Sequence, residues 1–297
     1  MSTNGPILVI GATGNQGGHV SRALLNAGWP VHAYTRNPAS PQAQRLKDKG
    51  AILVQGDLSD LDSLKAAIRN VTGIFSVQNF WELGLKEEVR LGSHVIQAAQ
   101  QSGNMLHIVY SSGLGAEQRQ HVDAIDGKAV LEEKLRQSGL PFTIMRPGLF
   151  MDDFQGASLP FWPPVQRVFR NHRPLVGRLF LATLCAVVPK NSFVPLTTLN
   201  DLGRMAAWAF EHSDISLGQG YQVVGSLETG NKLCAMWEKI TKQPIPQVPA
   251  LKFGIHVVHP KMAALLNWLG NQQPFISNGP LELQTYVDWL YSVLTPR

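Results

Sequence analysis

Ile7-Leu-Val-Ile-Gly11-Ala-Thr-Gly14-Asn-Gln-Gly17-Gly18 is the stretch that decides the fold of this 297-residue chain. An apolar, β-branched run leads into three glycines at three-residue spacing, and a segment with helical periodicity follows. Gly11 permits a tight turn, Gly14 lets the backbone approach a ligand closely, and Gly17 lets the helix pack against the sheet. A strand, a glycine-rich turn and a helix in this order predict the phosphate-binding turn of a dinucleotide site.

The first half of the chain alternates short apolar runs with longer helical segments, which is typical of a parallel sheet covered by helices. The apolar runs predict strands at Ile7–Ile10, Val31–Tyr34, Ile52–Gln55, Ile74–Val77, Leu106–Tyr110 and Phe142–Met145. Helical periodicity predicts helices at Gly17–Ala27, Pro41–Lys49, Leu61–Arg69, Leu85–Ser102 and Gly127–Ser138. We therefore expect an α/β protein with a Rossmann-type, doubly wound parallel sheet formed by residues 1–148.

After Arg146 this alternation stops. Residues 149–194 are rich in Phe, Trp, Pro and Leu with few periodic signals, and the apolar run Leu179–Val188 is expected to be buried. Periodicity then resumes, with a strand predicted at Tyr221–Val224 and helices at Leu199–Glu211, Leu233–Thr241, Pro260–Leu269 and Leu281–Leu294. We expect residues 149–297 to form a smaller, discontinuous α+β lobe at the carboxyl edge of the sheet.

The glycine turn and the end of the second strand predict which dinucleotide binds. Cofactor contacts are expected from Gly11, Thr13, Gly14, Asn15, Gln16 and Gly17. The second strand ends in Tyr34-Thr-Arg36-Asn, and no Asp or Glu occurs from the glycines through Ser40. A carboxylate there would bind the ribose 2′-hydroxyl of NAD, whereas Arg36 suits the 2′-phosphate of NADP(H). We predict NADP(H), against the alternative that Arg36 is a solvated surface residue.

Polar residues also follow the third and fourth predicted strands. Asp57 either accepts a hydrogen bond from the adenine amino group or caps the helix that begins near Asp60. Gln78 and Asn79 end the fourth strand, at the edge where doubly wound sheets bind ligands. All three are therefore candidate cofactor contacts.

Taken together, these features resemble the NmrA-like family, an atypical branch of the short-chain dehydrogenase/reductase superfamily, over nearly the whole chain. The motifs that carry the resemblance are Gly11-Ala-Thr-Gly-Asn-Gln-Gly-Gly, Thr35-Arg-Asn-Pro, Gln55-Gly-Asp, Asn79-Phe-Trp-Glu, Asp126-Gly-Lys, Met145-Arg-Pro-Gly and Val194-Pro-Leu followed by Asp201-Leu-Gly. The resemblance implies NADP(H) binding, with either reductase activity or a role as a redox sensor that acts on regulatory protein partners.

The usual catalytic tyrosine of that superfamily is missing from this chain. It should stand four residues before Lys128, where the sequence has Ala124. No tyrosine lies between Ser111 and Gly220. Ordinary carbonyl-reductase chemistry is therefore not expected.

Three polar residues remain as catalytic candidates. Ser111 and Ser112 end the fifth strand, where a hydroxyl suits a substrate oxygen or the nicotinamide amide. Lys128 is placed to bond the nicotinamide ribose hydroxyls and to act as an acid or proton relay. The alternative for Lys128 is a solvent-facing ion pair with Glu132, four residues along the same helix.

The segment after the sixth strand carries candidates for a substrate pocket. Pro147 and Gly148 are expected beside the nicotinamide, where a glycine permits close backbone approach. Aromatic side chains follow that form either an apolar wall for a flat substrate or a hydrophobic core: Phe150, Phe154, Phe161 and Trp162. A basic run follows that either docks an acidic partner or is a solvated loop: Arg167, Arg170, His172, Arg173 and Arg178.

Composition limits the remaining possibilities. The excess of 26 basic over 21 acidic residues is small, and no nucleic-acid-binding motif accompanies it. Cys185 and Cys234 stand in neither CxxC nor metal-ligand spacing, which predicts a reducing compartment, no metal and no structural disulfide. The first residues lack the features of a signal peptide, and no apolar run approaches the roughly twenty residues of a membrane span. We expect a cytoplasmic protein that does not enter the membrane.

Two functions follow from these patterns. The first is an NADPH-dependent reductase of a small, apolar, electron-poor acceptor such as a quinone or an enone, with Lys128 and a serine hydroxyl as its polar groups. The second is a non-catalytic sensor of NADPH against NADP⁺ that regulates a protein partner, which the missing tyrosine favours.

Overall fold

The computed structural model describes residues 5–155, 173–246, 254–257 and 259–294. In chain order its strands are β1 (Ile7–Val9), β2 (Val31–Thr35), β3 (Ile52–Gln55), β4 (Gly73–Ser76), β5 (His107–Ser111), β6 (Phe142–Pro147), β7 (Leu149–Phe150), β8 (Phe193–Thr197), β9 (Gly220–Val223) and β10 (Ser226–Thr229). Its α-helices include α1 (Asn15–Asn26), α2 (Pro41–Lys47), α3 (Leu61–Ile68), α4 (Phe80–Gln101), α5 (Asp123–Gln137), α6 (Arg173–Val187), α7 (Leu199–Glu211), α8 (Ser213–Ser216), α9 (Gly230–Thr241), α10 (Pro260–Leu269) and α11 (Tyr286–Leu294).

The main sheet has seven strands in the order β3-β2-β1-β4-β5-β6-β9. All neighbouring pairs from β3 to β6 are parallel. Val9 pairs with Ala33 of β2 on one side and with Phe75 of β4 on the other, so the strand order reverses at β1. Ligands bind at the carboxyl ends of strands beside such a reversal. The predicted Rossmann-type doubly wound fold is confirmed.

The hydrophobic pattern places the core of this sheet as expected. Strand residues on the same face of the sheet as helices α3, α4 and α5 form one buried cluster with apolar side chains of those helices, including Leu8, Ile74, Ile108, Val95 and Leu131. The capping residues fix where the helices begin: Asp60 accepts from the backbone N–H groups of Asp62 and Ser63 at the start of α3. Burial on one face and capping at the ends together specify each β-α repeat.

Two helices begin a full turn or more earlier than the sequence predicts. Helix α5 begins at Asp123 rather than Gly127. Helix α4 begins at Phe80 rather than Leu85, but Gly84 interrupts it with φ of 74° and ψ of 171°. This conformation is open to glycine at little cost, so a single helical turn precedes the main body of the helix. The predicted start at Leu85 therefore coincides with the start of that body.

The chain divides into two compact units, and the boundary differs from the predicted one. The first unit comprises residues 1–146 together with 199–221, and the second comprises 147–198 together with 222–297. The prediction assigned all of 149–297 to the second lobe, so segment 199–221 is a correction. The physical reason is the packing of α7 against α1, where a Cβ on Gly203 would lie 2.8 Å from the carbonyl oxygen of His19.

The second unit has its own sheet and core. Its three strands lie in the order β10-β8-β7, with β7 and β8 parallel and β8 and β10 antiparallel. The sequence predicted neither these strands nor α6. Leu181 and Leu184 of α6 are buried, as expected for the apolar run Leu179–Val188. They join a core with Phe154, Trp237 and Tyr286.

Among the described residues, no helix combines the length and the hydrophobicity that a bilayer span demands. Likewise, the described ranges contain no group of three or more His, Cys, Asp and Glu side chains arranged to hold a metal ion. Several residues of interest lie outside the described ranges, namely Phe161, Trp162, Arg167, Arg170 and His172.

Candidate functional site

The glycine turn after β1 has the backbone geometry of a phosphate cradle. Gly11 has φ of +68°, a backbone angle that residues other than glycine rarely adopt. Its carbonyl accepts a hydrogen bond from the N–H of Gly14 at 2.9 Å. Gly14 is the N-cap of α1 and offers no side chain to the first-turn N–H groups. Gly11, Gly14 and Asn15 are exposed. The helix therefore presents backbone donors and its positive dipole end to an anion from solvent.

Gly17 makes this turn compact. A Cβ on Gly17 would lie 2.3 Å from the carbonyl oxygen of Gly11, and a Cβ on Gly14 would lie 3.2 Å from the same atom. The first turn of α1 thus rests directly on the loop that precedes it. The sequence predicted that Gly17 allows close packing on the sheet. In the structure, the atoms that a side chain at Gly17 would meet belong to the backbone of the turn itself. Any side chain at Gly17 would push the turn and the helix apart. Glycine at this position therefore keeps the turn compact, and the turn fits a dinucleotide diphosphate.

Arg36 lies at the end of β2 and is exposed. It makes no hydrogen bond or ion pair with another described residue, while the turn around it is held by the Asn37 N–H donating to Thr35 Oγ1 at 3.2 Å. Arg36 does act on Asp57 at the next strand end. The pKa of Asp57 is lowered by hydrogen bonds from the backbone and hydroxyl of Ser59, with a smaller contribution from Arg36. The guanidinium donors of Arg36 are thus available to a phosphate.

Asp57 does not cap α3. Its carboxylate accepts from the Ser59 N–H at 2.8 Å and from Ser59 Oγ at 2.7 Å, which closes a short turn before the helix. Asp60 caps the helix instead. The capping alternative for Asp57 is therefore wrong, and the adenine contact stays a prediction.

The two residues predicted at the end of β4 have local roles. Asn79 is exposed and caps α4, with Oδ1 accepting from the Trp81 N–H at 3.2 Å. Gln78 is buried, and its amide nitrogen donates to Ser76 Oγ at 3.0 Å. Gln78 lines a small cavity together with Tyr110 and Gly92. Burial of Gln78 argues against the direct cofactor contact that the sequence suggested, whereas Asn79 remains at the open edge.

The hydroxyls of Ser111 and Ser112 lie in different surroundings, because successive residues of a strand point to opposite faces. Ser111 Oγ donates to Gln16 Oε1 at 2.6 Å, so the end of β5 holds a side chain of the glycine turn. Ser112 Oγ donates to Glu132 Oε1 at 2.6 Å, and both residues are buried. The structure therefore places Ser112 in a buried ionic cluster and not at the open edge, which corrects its predicted role as a polar group for substrate.

Glu132 is the centre of that cluster and was missed as a functional residue. Arg146 donates to it through Nε at 2.8 Å and Nη2 at 2.6 Å, and Arg136 adds contacts at 3.1 Å. Burial alone would lower the pKa of Arg146, but Glu132 and Glu117 raise it overall. The cluster joins α5 to β6 through a bidentate pair.

Lys128 pairs with a residue that the sequence did not suggest. Its Nζ lies 2.8 Å from Glu88 Oε1 of α4, where Glu88 is fully buried and the Lys128 side chain is 17% exposed. Burial raises the pKa of Glu88, and Lys128 offsets this only in part. The alternative of a solvent-facing pair with Glu132 is wrong, because Glu132 faces Arg146. A charged residue on the apolar face of α4, in register with Leu91 and Val95, was the available signal.

The immediate surroundings of Lys128 depend on two glycines. A Cβ on Gly127 would lie 2.5 Å from Glu88 Oε2, and one on Gly113 would lie 3.2 Å from Lys128 Cδ. Lys128 thus lies along the loop that follows β5, at the same edge of the sheet as the glycine turn. Tyr110, one residue from Ser111, does not replace the missing tyrosine because it is buried in the core. Burial, with added effects of Glu88 and Glu132, raises its pKa well above the usual value.

Pro147, Gly148 and Phe154 belong to the second unit. Pro147 ends β6, and the N–H of Gly148 donates to Thr197 Oγ1 at 2.8 Å. A Cβ on Gly148 would lie 2.4 Å from the carbonyl oxygen of Pro195, so the glycine permits a backbone contact within this unit. Phe154 is fully buried against Phe180 and Trp289, which favours the core alternative for this aromatic. The nicotinamide contacts of Pro147 and Gly148 stay predictions.

The basic run is described only at its end. Arg178 Nε donates to the carbonyl oxygen of Pro244 at 2.9 Å, so this side chain supports the second unit. Arg173 begins α6.

Fold and site together define a class: an α/β protein with a Rossmann-type, dinucleotide-binding turn at the reversal of its strand order. The family comparison agrees with that class. The model of the NmrA-like family matches residues 3–267, and the chain belongs to this family. The resemblance drawn from the motifs is confirmed.

Three known proteins illustrate the relationship. An NmrA-like family domain-containing oxidoreductase of Aspergillus versicolor is 36% identical over 162 residues, which are 50% of this chain and 45% of that protein. The crystal structure of NmrA, a negative transcriptional regulator, in complex with NADP matches with a TM-score of 0.71 at 19% identity, over 99% of this chain and 92% of the other. An NADPH-dependent quinone oxidoreductase of Escherichia coli, complexed with NADPH, matches with a TM-score of 0.66 at 21% identity, over 89% and 86%.

These matches cover different fractions of the proteins compared. The matched part spans about half the length of the curated relatives. The two solved structures support the fold over most of the chain. The chain is thus a member of the NmrA-like family, and the two solved structures share its fold.

Proposed function

We propose that the chain is an NADP(H)-dependent oxidoreductase that reduces a small, apolar, electron-poor acceptor such as a quinone or a conjugated enone. The cofactor assignment rests on the start of α1, which has no side-chain cap, and on the Arg36 guanidinium at the end of β2, which makes no hydrogen bond or ion pair with another described residue. Backbone donors suit the diphosphate, and a planar arginine suits the 2′-phosphate. The quinone oxidoreductase with this fold binds NADPH, which supports the same cofactor and acceptor class here.

Lys128 is the polar group that this proposal places beside the reaction. A bound NADPH supplies a hydride, and the acceptor also needs a proton to be fully reduced. Lys128 Nζ binds the ribose hydroxyls and holds a proton near the acceptor oxygen, while Glu88 fixes the ammonium from the buried side. Quinones and enones are electron-poor, so they tolerate a weaker acid than the missing tyrosine.

Ser111 has a positioning role in this proposal. Its hydrogen bond to Gln16 orders the first turn of α1, where the diphosphate is expected. Ser112 takes no part, because its hydroxyl proton is given to buried Glu132.

The test is steady-state oxidation of NADPH with a panel of quinones and enones. The decisive variant is Lys128→Met/Glu88→Gln, which removes both charges and keeps the side-chain volumes similar. Turnover at saturating NADPH should fall at least tenfold while Tm stays close to wild type, and loss of the ribose contact should weaken NADPH binding by about tenfold. Lys134→Met, on the exposed face of the same helix, is the matched control and should retain full activity. Equal activity of the wild type and the double variant would remove Lys128 from the mechanism.

A non-catalytic sensor of the NADPH to NADP⁺ ratio is the second candidate. Its supporting observation is that Ser112 and Lys128 are both engaged by buried carboxylates, in a chain without the usual tyrosine. NmrA is itself named as a negative transcriptional regulator. The sensor predicts no turnover with any acceptor, together with different amide hydrogen exchange in the NADPH and NADP⁺ complexes. Turnover with matching exchange in the two complexes favours the enzyme.

A further inference from the structure

The two cysteines of the chain lie in contact, although 49 residues separate them. Cys185 belongs to α6 and Cys234 to α9, both in the second unit. Their Sγ atoms are 2.8 Å apart, about 0.8 Å longer than a disulfide bond of about 2.05 Å. The sequence predicted no structural disulfide because the spacing matched no known pattern, but spacing along the chain does not report contact between two helices.

The surroundings of the pair leave it reactive. Both cysteines are partly exposed and free. Cys185 Sγ also contacts the carbonyl oxygen of Gly230 at 3.4 Å, and a Cβ on Gly230 would lie only 3.2 Å from this sulfur. Glycine at the start of α9 therefore leaves room for the Cys185 side chain. The hydrogen bond from Cys234 lowers the pKa of Cys185, which favours the thiolate form that acts as nucleophile.

We propose that Cys185 and Cys234 form a dithiol–disulfide redox site in the second unit that is oxidised by hydrogen peroxide and related peroxides. The Cys185 thiolate attacks the peroxide, the O–O bond breaks, and Cys185 becomes a sulfenic acid while hydroxide leaves and takes up a proton to give water. Cys234 then attacks the Cys185 sulfur, the S–O bond breaks and a second water leaves. The two thiols lose two electrons and two protons in total, and peroxide is reduced to two waters.

The bond would join α6 to α9 and close a loop that contains β8, α7, α8, β9 and β10. A cross-link of this kind restricts the unfolded chain, so the oxidised protein should have the higher Tm. The site needs only the second unit and does not depend on the proposed cofactor or reaction.

The test treats the reduced full-length chain with a small excess of hydrogen peroxide. Titratable thiols in denaturant should fall from two to none, and the intact mass should fall by two hydrogen atoms. Digestion without reductant should give one peptide pair that joins Cys185 to Cys234, and dithiothreitol should restore both thiols. The Tm should rise on oxidation and return on reduction.

The matched control is Cys234→Ser/Lys232→Cys, which keeps two thiols on the same two helices. Residues two apart on a helix do not share a face, so the new thiol should not reach Cys185. This variant should gain oxygen atoms at single cysteines without an intrachain cross-link or a change in Tm. Oxygen adducts or interchain dimers as the main products in the wild type would overturn the proposal, as would two thiols that survive peroxide. Rapid intrachain cross-linking in the control variant would also overturn it.

Discussion

Ser111 Oγ donates to Gln16 Oε1 over 2.6 Å and so joins the carboxyl end of β5 to the first turn of α1. The two residues are 95 positions apart, and β1 and β4 bring them together because β4 lies between β1 and β5 in the sheet. The contact holds a polar side chain within the turn that is expected to bind the cofactor diphosphate.

Ser111→Ala should weaken NADPH binding without preventing folding. The variant loses one hydrogen bond, worth about 1 kcal/mol, which corresponds to roughly a fivefold rise in the dissociation constant. Isothermal titration of NADPH measures it. Ser93→Ala is the control: among the described residues the Ser93 hydroxyl bonds only to the Val89 carbonyl on α4, so its loss should leave binding unchanged. An unchanged constant in Ser111→Ala would mean that Gln16 needs no support from β5.

Arg36→Glu should change which dinucleotide binds. A guanidinium on the 2′-phosphate contributes about 2 kcal/mol, so NADPH binding should weaken roughly thirtyfold or more once a carboxylate stands there. NADH lacks this phosphate, and its binding should stay within about threefold or improve. Both constants come from quenching of intrinsic tryptophan fluorescence.

The control for this change is Arg69→Glu, an exposed arginine at the end of α3 that is outside the predicted site. It makes the same change in net charge. If both variants weaken NADPH equally, the effect is one of overall charge and the NADP(H) assignment loses its residue-specific support.

Local patterns were sufficient to predict the first unit. Each strand from β1 to β6 has an apolar, β-branched run that alternates with helical segments, and Leu199–Glu211 was predicted with the bounds that the structure has. The second unit was predicted less well. Helix α6 is buried on several sides, at Leu181, Ala182 and Val187, so its sequence lacks a polar face and shows no clear helical period.

Charge pairing in the site could not be predicted from local rules. The i,i+4 spacing of ion pairs on a helix predicts that Lys128 pairs with Glu132. Glu132, however, lies on the face of α5 that meets Arg146, and Lys128 pairs with Glu88 on another helix. Strand alternation, in contrast, was usable: adjacent residues Ser111 and Ser112 could not both face one site. A pattern along one element fixes faces, whereas the partner on each face depends on the tertiary structure.

The ion pair between Lys128 and Glu88 should matter for stability and for its dependence on pH. Lys128→Met leaves a buried carboxylate unpaired, which costs about 3 kcal/mol or more when the carboxylate is charged. Burial already raises the pKa of Glu88 above 4.5, and loss of Lys128 should raise it further. A raised carboxyl pKa gives stability that is present at low pH and lost as pH rises. The destabilisation in Lys128→Met should therefore grow from about pH 4 to about pH 7.

Urea denaturation of the variants in a double-mutant cycle measures the contribution of this ion pair to stability at each pH. Lys128→Met/Glu88→Gln has no buried charge and should recover to within about 1 kcal/mol of wild type. Its stability relative to wild type should vary with pH less than that of Lys128→Met. A double variant as unstable as the single one would indicate that packing and not charge is responsible.

His107 should make the first unit sensitive to acid. Its Nε2 lies 2.8 Å from Thr143 Oγ1, and the Thr143 hydroxyl donates its proton to the Ser216 carbonyl at 2.8 Å. A hydroxyl has one proton to give, so His107 Nε2 is the donor and Nδ1 carries no proton in the neutral ring. Burial lowers the pKa of His107 from 6.5 to about 4. The unfolded chain therefore binds this proton more readily than the folded one.

The direction of the pH dependence of stability follows from this difference in proton binding between the folded and the unfolded chain. Stability from His107 is complete above the ordinary histidine pKa and is lost as pH falls from 6.5 towards about 4. The loss between about pH 7.5 and about pH 5 should be about 2 kcal/mol. His107→Gln keeps a donor for Thr143 but does not titrate, so it should be less stable than wild type at the higher pH and lose about 2 kcal/mol less over this interval. Urea denaturation at the two pH values measures both chains, and parallel loss of stability would mean that His107 is protonated as easily in the folded state as in the unfolded one.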